Sequence, residues 1–155
     1  MAELVIYTDG SSRGNPGPGG YGAILQWGHV RKEIAQGFRK TTNNRMELMA
    51  VIAAIEMLTR ENVSATVYSD SSYVVNAVEK GWLFGWIKTG FKGKKNADLW
   101  TRFYGLYKKH KIKFVWVKGH ADNPMNNRCD ELATGAADGG NLLIDTGYEQ
   151  HGGLL

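Results

Sequence analysis

LVIYTDGSSRGNPGPGG, residues Leu4–Gly20, decides how the rest of the chain is read. Leu4–Tyr7 is a short apolar run that predicts a buried strand over Leu4–Thr8. It delivers an acid, Asp9, and gives way to a Gly/Pro-rich stretch, Ser11–Gly20, read as a turn. A carboxylate at the end of an apolar strand is costly to desolvate unless it is paired, hydrated or bound to a cation. Taken alone, Asp9 suits the start of an Asx-type turn. Its company elsewhere in the chain changes that reading.

Working outward, Tyr21–Trp27 (YGAILQW) predicts a second strand, Gly28-His29 a two-residue turn, and Val30–Phe38 a third strand. Short connections make the three an antiparallel meander. Arg45–Thr59 switches to helical spacing, with Met46, Met49, Ile52 and Ile55 among its apolar positions. Asn44 with Glu47 three residues later resembles a capping box. Ala65–Ser69 is a fourth strand ending at Asp70, and Ser71–Glu79 a helix capped by Ser71 or Asp70. Gly81–Lys95 is glycine-broken and basic, a short helix followed by a protruding loop. Asp98–His110 is a further helix, Lys113–Val117 a fifth strand, Gly119–Met125 a loop and Asn126–Ala137 the last helix. From Asp138 the tail is glycine-rich and weakly patterned, so residues 138–155 are expected to fray. With no repeat or linker, residues 1–155 read as one domain.

The expected architecture is therefore α/β, a five-stranded mixed sheet flanked by helices. If the first strand runs up, the meander leaves the chain at the top. The first helix returns it, and the fourth and fifth strands run up, parallel to the first. Asp9 and Asp70 then sit at the upper ends of parallel strands. Glu47 and Asp130 lie in the opening turns of helices that begin at the same edge. The carboxyl ends of parallel strands are where open α/β sheets bind ligands.

At 155 residues the chain can bury a proper core. Its start, MAELVIYTDG, lacks the basic and apolar segments of a signal peptide, and its longest apolar run, Leu48–Ile55, is too short to span a bilayer. A cytoplasmic protein without membrane attachment is expected. Cys129 is the one cysteine and reads as a reduced structural thiol. The net charge of +4 is unevenly spread. Lys80–Lys118 holds eleven Lys/Arg and one acid, for +10, which leaves −6 for the rest of the chain. Trp82, Trp86, Trp100 and Trp116 lie in that basic segment. Basic residues interleaved with aromatics suit a polyanion, most naturally nucleic acid.

Two like charges about 4 Å apart repel by roughly 4 kcal/mol at an effective dielectric of 20. Four clustered acids stay ionised together only with a cation beside them or with raised pKa values. The ligands would be hard oxygens, which select Mg²⁺ or Mn²⁺ over Zn²⁺. A carboxylate-bound pair of such ions suits phosphodiester hydrolysis, one activating the attacking water and the other stabilising the leaving oxygen. His120, in the loop after the fifth strand, lies beside the same edge, and its ordinary pKa near 6.5 suits proton transfer.

With these residues in place the sequence resembles type 1 ribonuclease H. The matching stretches are Thr8–Leu25, TTNNRMELMA (Thr41–Ala50), SDSSYVV (Ser69–Val75), NADLW (Asn96–Trp100), Trp116–Ala133 and DTGY (Asp145–Tyr148), in family order over nearly the whole chain. The resemblance implies a ribonuclease H-like fold. It also implies an endonuclease that cuts the RNA strand of an RNA–DNA hybrid, leaves 5′-phosphate and 3′-hydroxyl ends, and acts as a monomer. Carried over by position, Asp9, Glu47, Asp70 and Asp130 match the metal-binding carboxylates, and His120 the loop histidine of proton transfer or product release. Asn15, Asn43 and Asn44 match hybrid-contacting positions, and Thr42 with Asn96 the grip on a DNA phosphate. Trp82, Lys88 and the loop through Lys95 match the substrate-binding handle. Asn amides suit the wide RNA minor groove because they both donate and accept.

Three departures stand out. Ser72 occupies a minor-groove position where many relatives carry Gln. The handle between Phe91 and Asn96 is short. The active-site loop carries Asp122 near His120 and keeps Asn126. Two other readings compete: a DNA nuclease or strand-transfer enzyme of the same superfamily, and a non-catalytic hybrid-binding module. The TTNN and DTGY stretches argue against the first, and the intact four-acid set against the second.

Overall fold

The computed structural model describes residues 3–119 and 123–151. Its sheet is built around β1 (Leu4–Ser12), which pairs antiparallel with β2 (Gly17–Trp27). In turn β2 pairs antiparallel with β3 (Val30–Thr41), closing the expected meander. After α1 (Asn43–Glu56) the chain enters β4 (Ser64–Ser69), parallel to β1. Three helices follow: α2 (Ser72–Glu79), α3 (Trp82–Lys88) and α4 (Ala97–Tyr107). They return the chain to β5 (Lys111–Trp116), parallel to β4. The last long helix is α5 (Pro124–Asp138).

The sheet has six strands, one more than the five expected. The tail read as weakly patterned contains β6 (Leu142–Leu143), which pairs parallel with Gly37 and Phe38 of β3, and α6 (Thr146–His151). The strand order is β5-β4-β1-β2-β3-β6. Two residues are too few to show a period, so β6 leaves no alternating signal in the sequence.

The apolar face of α1 makes the centre of the core. Leu48, Val51, Ile52 and Ile55 pack with Ile6, Ala23, Val67, Trp100 and Phe103, all buried. Burial of each Val, Leu, Ile or Phe side chain among them contributes about 1.5–3 kcal/mol. The opposite face of β1, β2 and β3 is covered by α5, and the glycines there explain a difference from the sequence reading. The expected turn Ser11–Gly20 is mostly strand, with residues 13–16 alone joining β1 to β2. A Cβ on Gly20 would lie 2.5 Å from the Ala133 carbonyl oxygen, and one on Gly22 would lie 2.6 Å from that of Cys129. These glycines let α5 approach the sheet closely, a use that looks like turn composition in the sequence. Among the described residues no helix is long and apolar enough to cross a membrane.

Candidate active site

Asp9 lies near the end of β1, buried, with its Oδ1 accepting the Gly10 N–H at 2.9 Å. Any Cβ on Gly10 would overlap the backbone of Met46 and Glu47, so the glycine admits α1 against β1. That helix begins two residues earlier than expected, and the capping box from Asn44 to Glu47 does not form. Thr42 is the N-cap, its hydroxyl accepting the Arg45 N–H at 3.3 Å. Asn15 reaches across from the β1–β2 connection, its Oδ1 accepting the Asn43 N–H at 3.0 Å. With the cap at Thr42, Glu47 falls in the second turn and points inward, buried. Asp70 follows β4, and β5 fastens its backbone. The Trp116 indole N–H donates to the Asp70 carbonyl at 3.1 Å, and the Val117 N–H to that of Ser69 at 2.9 Å. Ser71 caps α2, as expected.

Carboxylate oxygens of Asp9, Glu47 and Asp70 lie within 4.8 Å of one another. Asp130, on α5, lines the same cleft without joining that tight group. Burial first, then the charges of Asp70 and Asp130, push the Asp9 carboxyl up to about 8, although the Gly10 N–H pulls it down. Burial, with the charges of Asp9 and Asp70, holds Glu47 well above the usual carboxylate range. Among the described residues, three buried oxygens here, Glu47 Oε1, Asp70 Oδ1 and Asn126 Oδ1, find no hydrogen-bond partner. A partnerless buried acceptor costs about 1–3 kcal/mol. An all-oxygen donor set with orphaned acceptors and carboxyls strained toward protonation fits a hard divalent cation.

The expected substrate residues divide between two adjoining clefts and the outer surface. Asn43 and Asn126 line the acid cleft. Asn15, Thr42, Asn44 and Asn96 line a second, polar cleft beside it. The two clefts meet at the N-terminus of α1, where Thr42 and Asn43 are neighbours in sequence. Trp82 is exposed at the start of α3 with the Lys80 ammonium 5.7 Å over its ring, and Lys88 is exposed at the other end. Neither of them, nor the exposed Ser72, lines either cleft. His120 and Asp122 lie outside the described residues.

The sequence reading missed Lys118, an exposed cation lining the acid cleft, and the Arg45, Asp98 and Asp145 cluster beside the polar cleft. Lys118 reads as one more lysine of a basic segment. The cluster joins residues a hundred positions apart, which no local spacing reveals.

Comparison with known proteins agrees with this geometry. The RNase H family model matches residues 1–138. Ribonuclease H of Lachnoclostridium phytofermentans is 54% identical over 95% of this chain and 99% of its own length. That of Desulforamulus reducens is 50% identical over 94% of each. Among solved structures, LC9-RNase H1, a type 1 RNase H with the type 2 active-site motif, superposes with a TM-score of 0.81 at 29% identity. That match covers 99% of this chain and 82% of the other.

Proposed function

The chain belongs to the ribonuclease H family, and from that premise we propose that it is an endoribonuclease hydrolysing the RNA strand of RNA–DNA hybrids with two Mg²⁺ ions, Mn²⁺ substituting. The observation that carries this reading is the group of three carboxylates within 4.8 Å, with oxygens on two of them that find no partner among the described residues. Such an ion pair, when bound, would lower the pKa of the attacking water and offset the charge that develops on the leaving oxygen.

The chain's own residues do the rest. Asp9, Glu47, Asp70 and Asp130 would hold the ions, which would offset the repulsion that Asp70 and Asp130 exert on Asp9. Asn15, Asn43 and Asn44, exposed along the rim, face the RNA minor groove with groups that donate and accept. Thr42 and Asn96 meet the DNA backbone in the second cleft. Asn126 presents a buried oxygen to the acid cleft. Trp82 and Lys88 extend the binding surface along α3. The Ser72 hydroxyl makes a shorter minor-groove contact. His120 moves a proton or assists product release, and the products carry 5′-phosphate and 3′-hydroxyl ends.

The test is to offer end-labelled RNA–DNA hybrid, duplex DNA and single-stranded RNA in Mg²⁺. The expected result is cutting of the RNA strand of the hybrid, with its DNA strand and the other substrates intact. Preferential cutting of duplex DNA would favour the strand-transfer reading. Tight hybrid binding without cleavage would favour the binding-module reading.

A further inference from the structure

Arg45 stands at the wall of the polar cleft, where a cation would be expected to grip a phosphate. Its side chain is only 4% exposed, and its donors are already taken. Nε donates to Asp145 Oδ2 at 2.8 Å. Nη2 donates to Asp145 Oδ1 at 2.9 Å and to Asp98 Oδ2 at 2.7 Å. Nη1 donates to Asp98 Oδ1 at 2.8 Å and to Asn96 Oδ1 at 3.3 Å. A guanidinium has five N–H groups, and these five bonds use all of them. Two carboxylates against one guanidinium also leave the cluster net negative, so it offers no attraction to an anion.

What the cluster holds is Asn96. That residue sits at φ +66°, in the left-handed region that side chains other than glycine rarely adopt. Its amide is fixed at both ends. Oδ1 accepts from Arg45, and Nδ2 donates to Tyr73 Oη at 3.1 Å. The Trp100 indole N–H fixes that phenol in turn, at 2.8 Å.

At its other end the network reaches the C-terminal segment. Asp145, buried, also accepts from Thr41 Oγ1 at 2.7 Å and from the Tyr148 N–H at 3.2 Å. Gly147 lies so close to Arg45 and Asp98 that any Cβ there would overlap them. Gly147 and Tyr148 then form one wall of the cleft. Arg39 of β3 grips Glu149 of α6 through two bonds of 2.9 Å, fastening the segment from outside.

We propose that the segment from β6 through α6 is a positioning strap for the polar cleft: Asp145 aims Arg45, Arg45 fixes Asn96, and the nucleic-acid backbone is gripped by Thr42, Lys95 and Asn96 and not by Arg45. The inference rests on the reading of the chain as a hybrid-cleaving enzyme. Asp145 and Arg45 are positioning residues, and their effect falls on substrate affinity, not on the chemical step.

The experiment measures kcat, KM and thermal stability for wild-type protein, Asp145→Asn, Asn96→Ala and the double variant, on hybrid at saturating Mg²⁺. Asp145→Asn should raise KM about fivefold to tenfold, the worth of one neutral hydrogen bond, with kcat within about twofold of wild type. On an Asn96→Ala background it should change KM no further, because both changes remove the same interaction with the substrate. A merely structural role would lower the active fraction, and so kcat, at constant KM, with effects independent of Asn96. Either a kcat loss at unchanged KM or additive KM effects would overturn the strap. Thr41→Val removes only the hydroxyl that donates to Asp145. It should move KM in the same direction by less, which keeps the test decisive if Asp145→Asn does not fold. Wild-type protein that neither binds nor cleaves hybrid would overturn the functional reading and the strap with it. Failure of the strap alone leaves wild-type cleavage intact.

Discussion

Asp9 concentrates the electrostatic cost of the site. Its carboxyl is pushed up to about 8 by burial and by Asp70 and Asp130, against about 3.9 in an unfolded chain. Below about pH 4 the group is protonated in both states. Between that pH and about 8 the unfolded chain loses the proton and the folded chain keeps it, so stability without metal falls as pH rises through this window. Asp9→Asn removes the titrating group. Thermal melts in EDTA should therefore show the variant more stable than wild type at pH 8, by up to about 5 kcal/mol, and indistinguishable at pH 4. A wild-type advantage at pH 8 would contradict the assignment. Mg²⁺ should reverse the order by stabilising wild type alone. His120 belongs to the same scale. As a group that assists and does not hold metal, its replacement by Ala should lower kcat about 10–100-fold and leave Mg²⁺ affinity unchanged. Loss of metal binding would make it a ligand, and an unchanged kcat a bystander.

Elements bring these residues together. The meander, the parallel β4 and β5 and the convergence of Asp9, Glu47, Asp70 and Asp130 on one cleft were legible. Apolar runs of five to nine residues carry a period, and chain direction follows from short connections. The start of α1 was not legible, because Asn44 and Thr42 are both good caps and the partner of the Asn43 N–H, Asn15, lies 28 residues away. The glycines of β2 resemble turn residues because composition does not distinguish conformational freedom from close approach. That second use is testable. Gly22→Ala forces a Cβ against the Cys129 carbonyl, and overpacking at backbone costs about 1–3 kcal/mol. A lowered Tm with an unchanged KM for hybrid is expected, and an unchanged Tm would show that α5 can retreat. On the basic side, Lys88, Lys92, Lys94 and Lys95 are exposed, with Lys94 5.5 Å over the Trp86 ring. Neutralising all four should raise KM more than it lowers kcat. It should flatten the salt dependence by roughly 0.7–0.9 log units for each phosphate that the variant no longer neutralises. An unchanged salt slope would remove this segment from the binding surface.

At the scale of the molecule, two clefts share the N-terminus of α1, one acidic and compatible with a divalent cation, the other polar and walled by the C-terminal segment. Lys118 and Lys95 of the basic segment line one cleft each, and Lys88, Lys92 and Lys94 lie outside both. Under the proposed function this arrangement separates chemistry from grip: the carboxylates would act on the scissile phosphate, while amides, hydroxyls and lysines would hold the duplex. Loss of one carboxylate should therefore abolish turnover without abolishing binding. The most direct measurement is hybrid cleavage and hybrid affinity for folded Asp9→Asn beside wild type, in saturating Mg²⁺. The account predicts a fall in kcat on the order of 10³-fold or more, the equivalent of several kcal/mol of lost transition-state stabilisation, with Kd for hybrid little changed. Near-normal Mg²⁺-dependent cleavage by the folded variant would contradict it.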